Sequence, residues 1–176
     1  EVIAGTGRLA GPHEVAVDLA GGGKRTIRAR NILLATGSRP REIPGFKFDE
    51  SKVLSSTGLL MLEKLPKSLL ILGAGAIGVE FAYVMNAFGV QVHLVEMLPQ
   101  VLPLEDSEVA AVLAKELHKR GVTIATGTKA LSMAPKGGDL EVTLEDKEGK
   151  RSQVTAEKVL VAVGRAPNTE NLGLEK

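Results

Sequence analysis

A glycine-rich turn between a buried strand and a helix constrains this sequence more than any other feature. Residues 69–72 are all apolar, as in a strand buried on both faces, and Gly-x-Gly-x-x-Gly follows at residues 73–78. In this context Gly73 permits a tight turn, Gly75 lets the backbone approach a pyrophosphate, and Gly78 lets the helix pack closely on the strand. The N–H groups and the positive dipole end of the helix then face the phosphates. The motif predicts a dinucleotide-binding unit, and a glycine-rich turn without a ligand is the less favoured alternative.

A single carboxylate follows the next predicted strand. Residues 90–95 form that strand, and Glu96 ends it about 20 residues after the glycine motif, as dinucleotide-binding units require. A carboxylate here accepts hydrogen bonds from both ribose hydroxyls of NAD and repels the 2′-phosphate of NADP. No arginine follows at residues 97–100 to neutralise such a phosphate. The sequence therefore predicts NAD(H) over NADP(H), with a solvated glutamate at a strand end as the alternative.

The rest of the chain reads as further elements of the same kind of unit. We predict short strands within residues 1–36, a connector over 38–66 with one short helix, strands at 122–125 and 159–163, a helix over 106–120, and an antiparallel meander over 129–155. Apolar residues at helical spacing predict the buried faces of the two longer helices, Ile77, Phe81, Val84 and Phe88 in the first and Val109, Val112, Leu113 and Leu117 in the second. The predicted fold class is α/β, a Rossmann-like three-layer FAD/NAD(P)-binding domain of parallel sheet, helices and antiparallel β-meander, plus the partial β-rich end of a second such domain.

A short internal repeat suggests that this design occurs twice. Residues 31–40 align without a gap on residues 158–167 and share four identities, among them Gly37 with Gly164. Each copy contains a run that is apolar on both faces, at residues 32–35 in the first, and so predicts a buried parallel strand. Four identities can arise by chance in apolar strands, but together with the order of elements they indicate two related domains. The predicted domains are the C-terminal part of an FAD-binding domain (1–40), a connector (41–66), an NAD-binding domain (67–168) and the start of a return to the FAD domain (169–176).

Composition argues against several other classes of protein. The 22 Lys and Arg residues balance 21 Asp and Glu residues, and aromatic residues make up 3%, so neither a basic patch nor stacking platforms for nucleic acid are expected. Cysteine is absent, and the three histidines are scattered, so we predict no disulfide, cysteine nucleophile or metal site in these residues. The longest apolar run, residues 69–79, is too short to cross a membrane, and no signal peptide is recognisable at the start. We expect a cytoplasmic location and no membrane or nucleic-acid partner.

The ordered set of motifs resembles the FAD- and NAD-linked disulfide oxidoreductases. The set consists of Ala-Thr-Gly-Ser at residues 35–38, the loop and helix start at 73–80, Glu96, and Val-Gly-Arg-Ala-Pro-Asn at 163–168. Residues 53–58 and 171–175 make the chain most similar to the dihydrolipoyl dehydrogenases within that family. The resemblance covers essentially all 176 residues.

The resemblance implies two sets of cofactor-binding residues. The NAD positions fall on Gly73, Ala74, Gly75, Ala76, Ile77, Gly78, Val79, Glu80, Glu96, Ala130 and Gly164. The FAD positions fall on Gly7, Thr36, Gly37 and Ser38. Ala130 would line the adenine side, and Gly164 would let the nicotinamide lie close to the flavin. Glu80, which we place in the first turn of the helix, would pair with a lysine outside these residues, although favourable interaction with the helix dipole explains it equally well.

The catalytic groups of the family have no counterpart in this sequence. The redox-active cysteine pair and the His–Glu pair are both missing, so we assign no catalytic residue, and with a first residue Glu1 we interpret the chain as a central fragment. The implied reaction passes two electrons from dihydrolipoyl thiols through a cysteine disulfide and FAD to NAD⁺. The resemblance also implies a homodimeric parent protein and a lipoyl-bearing subunit of a 2-oxo acid dehydrogenase complex as partner. We expect no lipoamide turnover by the chain alone, and dihydrolipoamide-dependent NADH formation by the purified chain would contradict this.

Two alternatives stay open at the level of sequence. The same motifs occur in other NAD-linked flavoprotein reductases such as NADH oxidases, coenzyme A disulfide reductases and mercuric reductases. A stand-alone dinucleotide-binding module without catalytic function is favoured by the absence of cysteine and disfavoured by the incomplete first domain.

Overall fold

Residues 1–175 of the chain are described by a computed structural model. In chain order the elements are β1 (Gly5–Gly11), β2 (Glu14–Leu19), β3 (Lys24–Arg28), β4 (Ser38–Pro40), β5 (Val53–Leu54), α1 (Ser56–Leu60), β6 (Ser68–Leu72), α2 (Ala76–Ala87), β7 (Gln91–Val95), α3 (Ser107–Lys119), β8 (Thr123–Ala125), β9 (Thr128–Lys136), β10 (Asp139–Asp146), β11 (Arg151–Ala156), β12 (Lys158–Val161) and β13 (Arg165–Pro167). They fall into two units, a larger one over Pro40–Arg165 and a smaller one of Glu1–Arg39 with the segment from Ala166 onward.

A five-stranded parallel sheet of order β5-β12-β6-β7-β8 forms the centre of the larger unit. Successive side chains of a strand point to opposite faces, so β6 contributes to two separate apolar clusters. Leu69 and Ile71 pack in the cluster that contains the helices, whereas Leu70 and Leu72 pack in the cluster that contains the antiparallel sheet β11-β10-β9. The sheet is therefore covered on both faces, which confirms the predicted three-layer α/β fold.

Helix α3 with its caps Asp106 and Arg120 occupies the predicted range 106–120, and both longer helices are followed by a glycine with positive φ. Helix α2 ends at Ala87 with Phe88 as its C-cap, and Gly89 follows with φ +83°, a left-handed conformation that favours glycine. The side chain of Asp106 caps α3 by accepting hydrogen bonds from the N–H groups of Glu108 and Val109. Gly121 follows the C-terminus of α3 with φ +94°.

The buried faces of these helices differ from the predicted ones. The buried residues are Gly78, Val79, Ala82 and Met85 in α2 and Ala110 and Leu117 in α3. The predicted Val84 and Phe88 are 40% and 66% exposed, and Val109 and Val112 are 63% and 65% exposed. Leu117 is buried as predicted, and Ile77, Phe81 and Leu113 are partly buried against the same core, so the prediction was wrong for four of its eight residues. It counted large apolar side chains, whereas α2 approaches the sheet through small residues that let the backbones come close.

The smaller unit contains the antiparallel sheet β1-β2-β3, in which Arg8 and Asp18 pair at 3.0 Å. The predicted buried strand at residues 32–35 is wrong, since no strand forms there and Leu33 and Leu34 are 89% and 45% exposed. A parallel strand needs neighbours for its N–H and C=O groups. Within the described residues of this unit, no parallel sheet runs beside it.

The two copies of the repeat share a glycine turn and a short strand. Gly37 and Gly164 have φ values of +75° and +110°, and the strands that come after them, β4 and β13, pair with each other. The N–H of Asn168 donates to Gly37 O at 3.0 Å, and the N–H of Arg41 donates to Gly164 O at 3.1 Å. The two hydrogen bonds occupy corresponding positions in the two copies of the repeat. Only the second copy, however, begins with a buried strand, β12.

No helix within residues 1–175 has both the length and the apolar character that crossing a membrane requires.

Candidate functional site

A cleft of about 550 Å³ lies at the carboxyl ends of the central parallel strands in the larger unit. Its walls include Leu72 at the end of β6, Val95 at the end of β7, and residues 162–164 directly after β12. Ligands of open α/β sheets bind at this edge, because the loops that come after parallel strands converge there. The glycine motif and Glu96, both singled out from the sequence, meet in this cleft.

The three glycines of the motif have three different environments. Gly73 has φ +100°, and a Cβ on it would lie 2.6 Å from the carbonyl oxygen of Ala162. A Cβ on Gly78 would overlap the carbonyl oxygen of Gly73, so Gly78 allows α2 to pack against the turn. Gly75 differs from both, because a Cβ there would meet no atom within 4 Å. Close backbone contacts within the protein therefore require glycine at positions 73 and 78. Gly75 instead leaves an open space at the cleft, which we call the cradle.

The N–H groups of the glycine loop divide into two sets. Those of Gly73 and Ala74 donate within the protein, to Val95 O at 2.8 Å and to Glu96 Oε2 at 2.7 Å. Those of Gly75, Ala76 and Ile77 donate no hydrogen bond to any of residues 1–175. No acidic residue lies in the first turn of α2 to neutralise its positive dipole end. This arrangement is suited to binding an anion such as a phosphate.

Glu96 lines the cleft and also holds the loop in place. The residue is 8% exposed; its Oε2 accepts the hydrogen bond from Ala74 N–H, and its Oε1 accepts one from Leu98 N–H at 2.9 Å. Each carboxylate oxygen can accept more than one hydrogen bond, so both retain acceptor capacity toward the cleft. The sequence predicted a ligand role for Glu96, with a solvated strand end as the alternative, and did not indicate this structural role.

The loop over residues 97–106 crosses the glycine loop. Leu102 has φ +46°, which is unfavourable for a bulky residue, and its N–H donates to Ala74 O at 2.7 Å. The side-chain amide of Gln100 donates to Glu105 O at 3.0 Å, and Pro103 lines the cleft. Nothing in the sequence indicated this crossing, because a left-handed leucine has no compositional signature.

The remaining predicted NAD positions fall in three kinds of place. Ala130 and Gly164 line the cleft, and a Cβ on Gly164 would meet no atom within 4 Å. Val79 is 6% exposed within the apolar core, so it contributes packing. Glu80 is exposed and lies in the second turn of α2, which corrects its predicted place in the first turn, because the helix already begins at Ala76.

The predicted FAD positions all lie in the smaller unit and are exposed. Gly7 is in β1, and Ser38 begins β4. The hydroxyl of Thr36 donates to Asn168 O at 2.6 Å, and the amide of Asn168 donates back to Thr36 O at 3.1 Å. These bonds fix the turn at Gly37, and the assignment of the four residues to FAD stays a prediction.

Comparison with known proteins identifies the family. Residues 1–176 match the family model described as pyridine nucleotide-disulphide oxidoreductase. The chain is 42% identical to the dihydrolipoamide dehydrogenase of Chaetomium thermophilum, covering 100% of this chain and 35% of that protein. It is 44% identical to the dihydrolipoyl dehydrogenase of Mycobacterium tuberculosis, covering 99% of this chain and 37% of that protein. The chain thus spans little more than a third of the length of these relatives.

Solved structures agree with this assignment. The crystal structure of LpdA from Mycobacterium tuberculosis superimposes with a TM-score of 0.84 at 33% identity, over 99% of this chain and 39% of that one. The HOCl-induced flavoprotein disulfide reductase RclA from Escherichia coli gives 0.79 at 31%, over 99% and 38%. The family match confirms the resemblance that the motifs indicated. The family uses FAD and NAD as cofactors. The chain belongs to the pyridine nucleotide-disulphide oxidoreductase family.

Proposed function

We propose that this chain is the NAD-binding segment of a flavoprotein disulfide oxidoreductase, and specifically of a dihydrolipoyl dehydrogenase. The observation that carries the proposal is the cradle at Gly75, where open space adjoins the carboxylate of Glu96 and three N–H groups that have no partner within residues 1–175. A pyrophosphate needs close backbone approach and N–H donors, and the neighbouring ribose needs a carboxylate acceptor. The cleft supplies both.

Each wall of the cleft then has a role in binding NAD. The N–H groups of Gly75, Ala76 and Ile77 bind the pyrophosphate, and the free acceptor capacity of Glu96 binds the adenosine ribose. Ala130 lines the adenine side, and Gly164 leaves room for the nicotinamide because it has no side chain. NAD and FAD supply the hydride and electron transfer when bound, and the residues of this chain bind and orient them.

For the whole protein we propose the oxidation of dihydrolipoamide to lipoamide with NAD⁺ reduced to NADH, via FAD. The high identity to proteins named dihydrolipoyl dehydrogenase supports this activity. We further propose a cytoplasmic homodimer whose partner is a lipoyl-bearing subunit of a 2-oxo acid dehydrogenase complex. Residues 1–40 then belong to an FAD-binding domain in which Gly7, Thr36, Gly37 and Ser38 contact FAD, residues 41–66 form the connector, residues 67–168 form the NAD-binding domain, and residues 169–176 return to the FAD domain.

A second candidate is the same segment of a different flavoprotein disulfide reductase. The superposition on RclA supports it, because that structure matches over 99% of this chain with a TM-score of 0.79. Both candidates use the cleft in the same way and differ in the substrate of the whole protein.

We expect saturable binding of NADH to the purified chain, with NADPH bound at least about tenfold more weakly, because Glu96 repels a 2′-phosphate. Isothermal titration calorimetry with each dinucleotide measures both dissociation constants. Absence of NADH binding, or equal affinity for the two dinucleotides, would contradict the proposal.

Two variants that each remove one negative charge test whether Glu96 causes the preference for NADH over NADPH. Glu96→Gln removes the negative charge at the cleft. We expect this variant to bind NADH more weakly and to show a smaller ratio of the NADPH to the NADH dissociation constant. Glu63→Gln removes one negative charge from an exposed position in the loop after α1, which does not line the cleft. Its dissociation constants should equal those of the unmodified chain.

A further inference from the structure

The cleft contains a single cation whose charge is already paired. Among the described residues that line it, Lys129 is the only cation and Glu96 the only anion. Lys129 lies in β9, and its Nζ is 2.8 Å from Oε1 of Glu145 in β10. A lysine engaged in such a short ion pair is less available to a ligand, because moving toward the ligand would weaken its attraction to the carboxylate.

Glu145 is placed between two cations by the register of the antiparallel sheet. It lies opposite Lys129 on β9 and opposite Arg151 on β11, and Arg151 Nε is 3.2 Å from Oε2. Its side chain is 18% exposed. Hydrogen bonds from Lys129 and Arg151 lower the pKa of Glu145, so it is a carboxylate at neutral pH.

In the proposed binding mode, Lys129 lies at the adenosine end of the cleft, next to Ala130. It follows Thr128, whose N–H donates to the backbone carbonyl of Glu96 at 2.9 Å. A second cavity of about 440 Å³ adjoins this end and shares Met97 and Lys129 with the main cleft, while Glu145 lines only the second cavity. The carboxylate therefore holds the ammonium group from the side away from the main cleft.

We propose that Glu145 is a positioning residue that sets dinucleotide specificity through Lys129. It pairs with and holds back Lys129, the one cation among the described residues that line the main cleft, so that a ribose 2′-phosphate meets no available cation there and is also repelled by Glu96. A 2′-phosphate needs such a cation, since sites that accept NADP place a basic side chain near it. This inference rests on the proposed NAD site.

The test compares NADPH and NADH dissociation constants for the full chain and four variants by calorimetry. In Glu145→Gln, Lys129 is released, and we expect the ratio of the NADPH to the NADH constant to fall about five- to tenfold, as for one new charge-assisted contact. The fall should diminish at high salt, because the new contact is an ion pair. Glu145→Asp keeps the charge and should keep the original ratio.

Two further variants separate an electrostatic role from a structural one. Arg151→Gln removes the other cation of the same carboxylate from β11 and leaves the Lys129 pair intact, so the ratio should not fall. The double variant Glu145→Gln with Lys129→Met should restore the ratio of the unmodified chain. A Glu145→Gln chain that binds NADH with an unchanged ratio would overturn the role of Glu145, and a fall that persists in the double variant would overturn the role of Lys129. An unmodified chain that binds no NADH would overturn the proposed function, and with it this inference.

Discussion

Replacing Gly75 by valine is expected to abolish NADH binding and to leave the folded state intact. Gly75 has φ −69° and ψ −175°, an extended conformation that valine adopts readily. The side chain would enter the open space at the cleft, where nothing lies within 4 Å of a Cβ, and would occupy the proposed place of the pyrophosphate. We expect NADH affinity to fall at least about a hundredfold, which is about 2.7 kcal/mol of binding free energy.

The folded state should tolerate this change. Valine is a poorer N-cap than glycine, but it also reduces the freedom of the unfolded chain, so the free energy of unfolding should change by at most about 1 kcal/mol. The sequence has one tyrosine and no tryptophan, and Tyr83 lies in α2 beneath the guanidinium of Arg120. Tyrosine fluorescence during thermal unfolding therefore reports on the larger unit.

The matched control is Gly21→Val, because Gly21 lies in the turn after β2 and is equally open to a Cβ. It should retain NADH binding. A Gly75→Val chain that melts normally and still binds NADH would show that the cradle is not the pyrophosphate site.

The sheet and the glycine loop were predictable because their signals are local. A run such as residues 69–72, apolar at every position, can be buried only where both faces of a sheet are covered. Turn geometry favours glycine directly after such a strand. Helix capping favours Asp106 and Gly121 at the two ends of a helical pattern. The positive φ of Gly73 and the side-chain cap on α3 confirm those causes.

The same local reasoning failed where burial depends on distant neighbours. Residues 32–35 are as apolar as the buried part of β12, yet no parallel strand lies beside them in the described part of the smaller unit. Large apolar residues also predicted burial of Val84 and Phe88, which are exposed, because close approach of α2 to the sheet selects small residues such as Ala82, which is fully buried. In both cases burial depends on the neighbouring element against which the segment packs, and not on the segment's own sequence.

The candidate site likewise combines residues with a local sequence signal and contacts that depend on distant parts of the chain. The motif and Glu96 were found from spacing, because backbone geometry requires those residue types there. The pairing of Lys129 with Glu145 depends on the register of two strands, and the crossing at Leu102 depends on a contact with Ala74. Neither has a signal within a short stretch of sequence, so both emerged only from the structure.

Replacing Gly78 by alanine is expected to have the opposite effect to a change at Gly75, destabilising the fold itself. Alanine is preferred over glycine within a helix by about 1 kcal/mol, so propensity alone predicts stabilisation. The added Cβ, however, would overlap the carbonyl oxygen of Gly73, and Ile71 Cγ2 lies 3.6 Å from it on the strand side. Helix α2 would have to move away from the buried strand β6.

We expect the free energy of unfolding to fall by about 2–4 kcal/mol, since strain in a packed interior outweighs propensity, and the midpoint by roughly 4–16 °C. Thermal unfolding followed by Tyr83 fluorescence measures this directly. Gly75→Ala is the control, because it adds the same methyl group three residues earlier, where the space is open, and should melt within about 2 °C of the unmodified chain. If Gly78→Ala is as stable as the control, the close contact between the turn and the helix is not required. A lower midpoint for Gly78→Ala alone would show that the fold requires glycine at position 78 and does not require it at position 75.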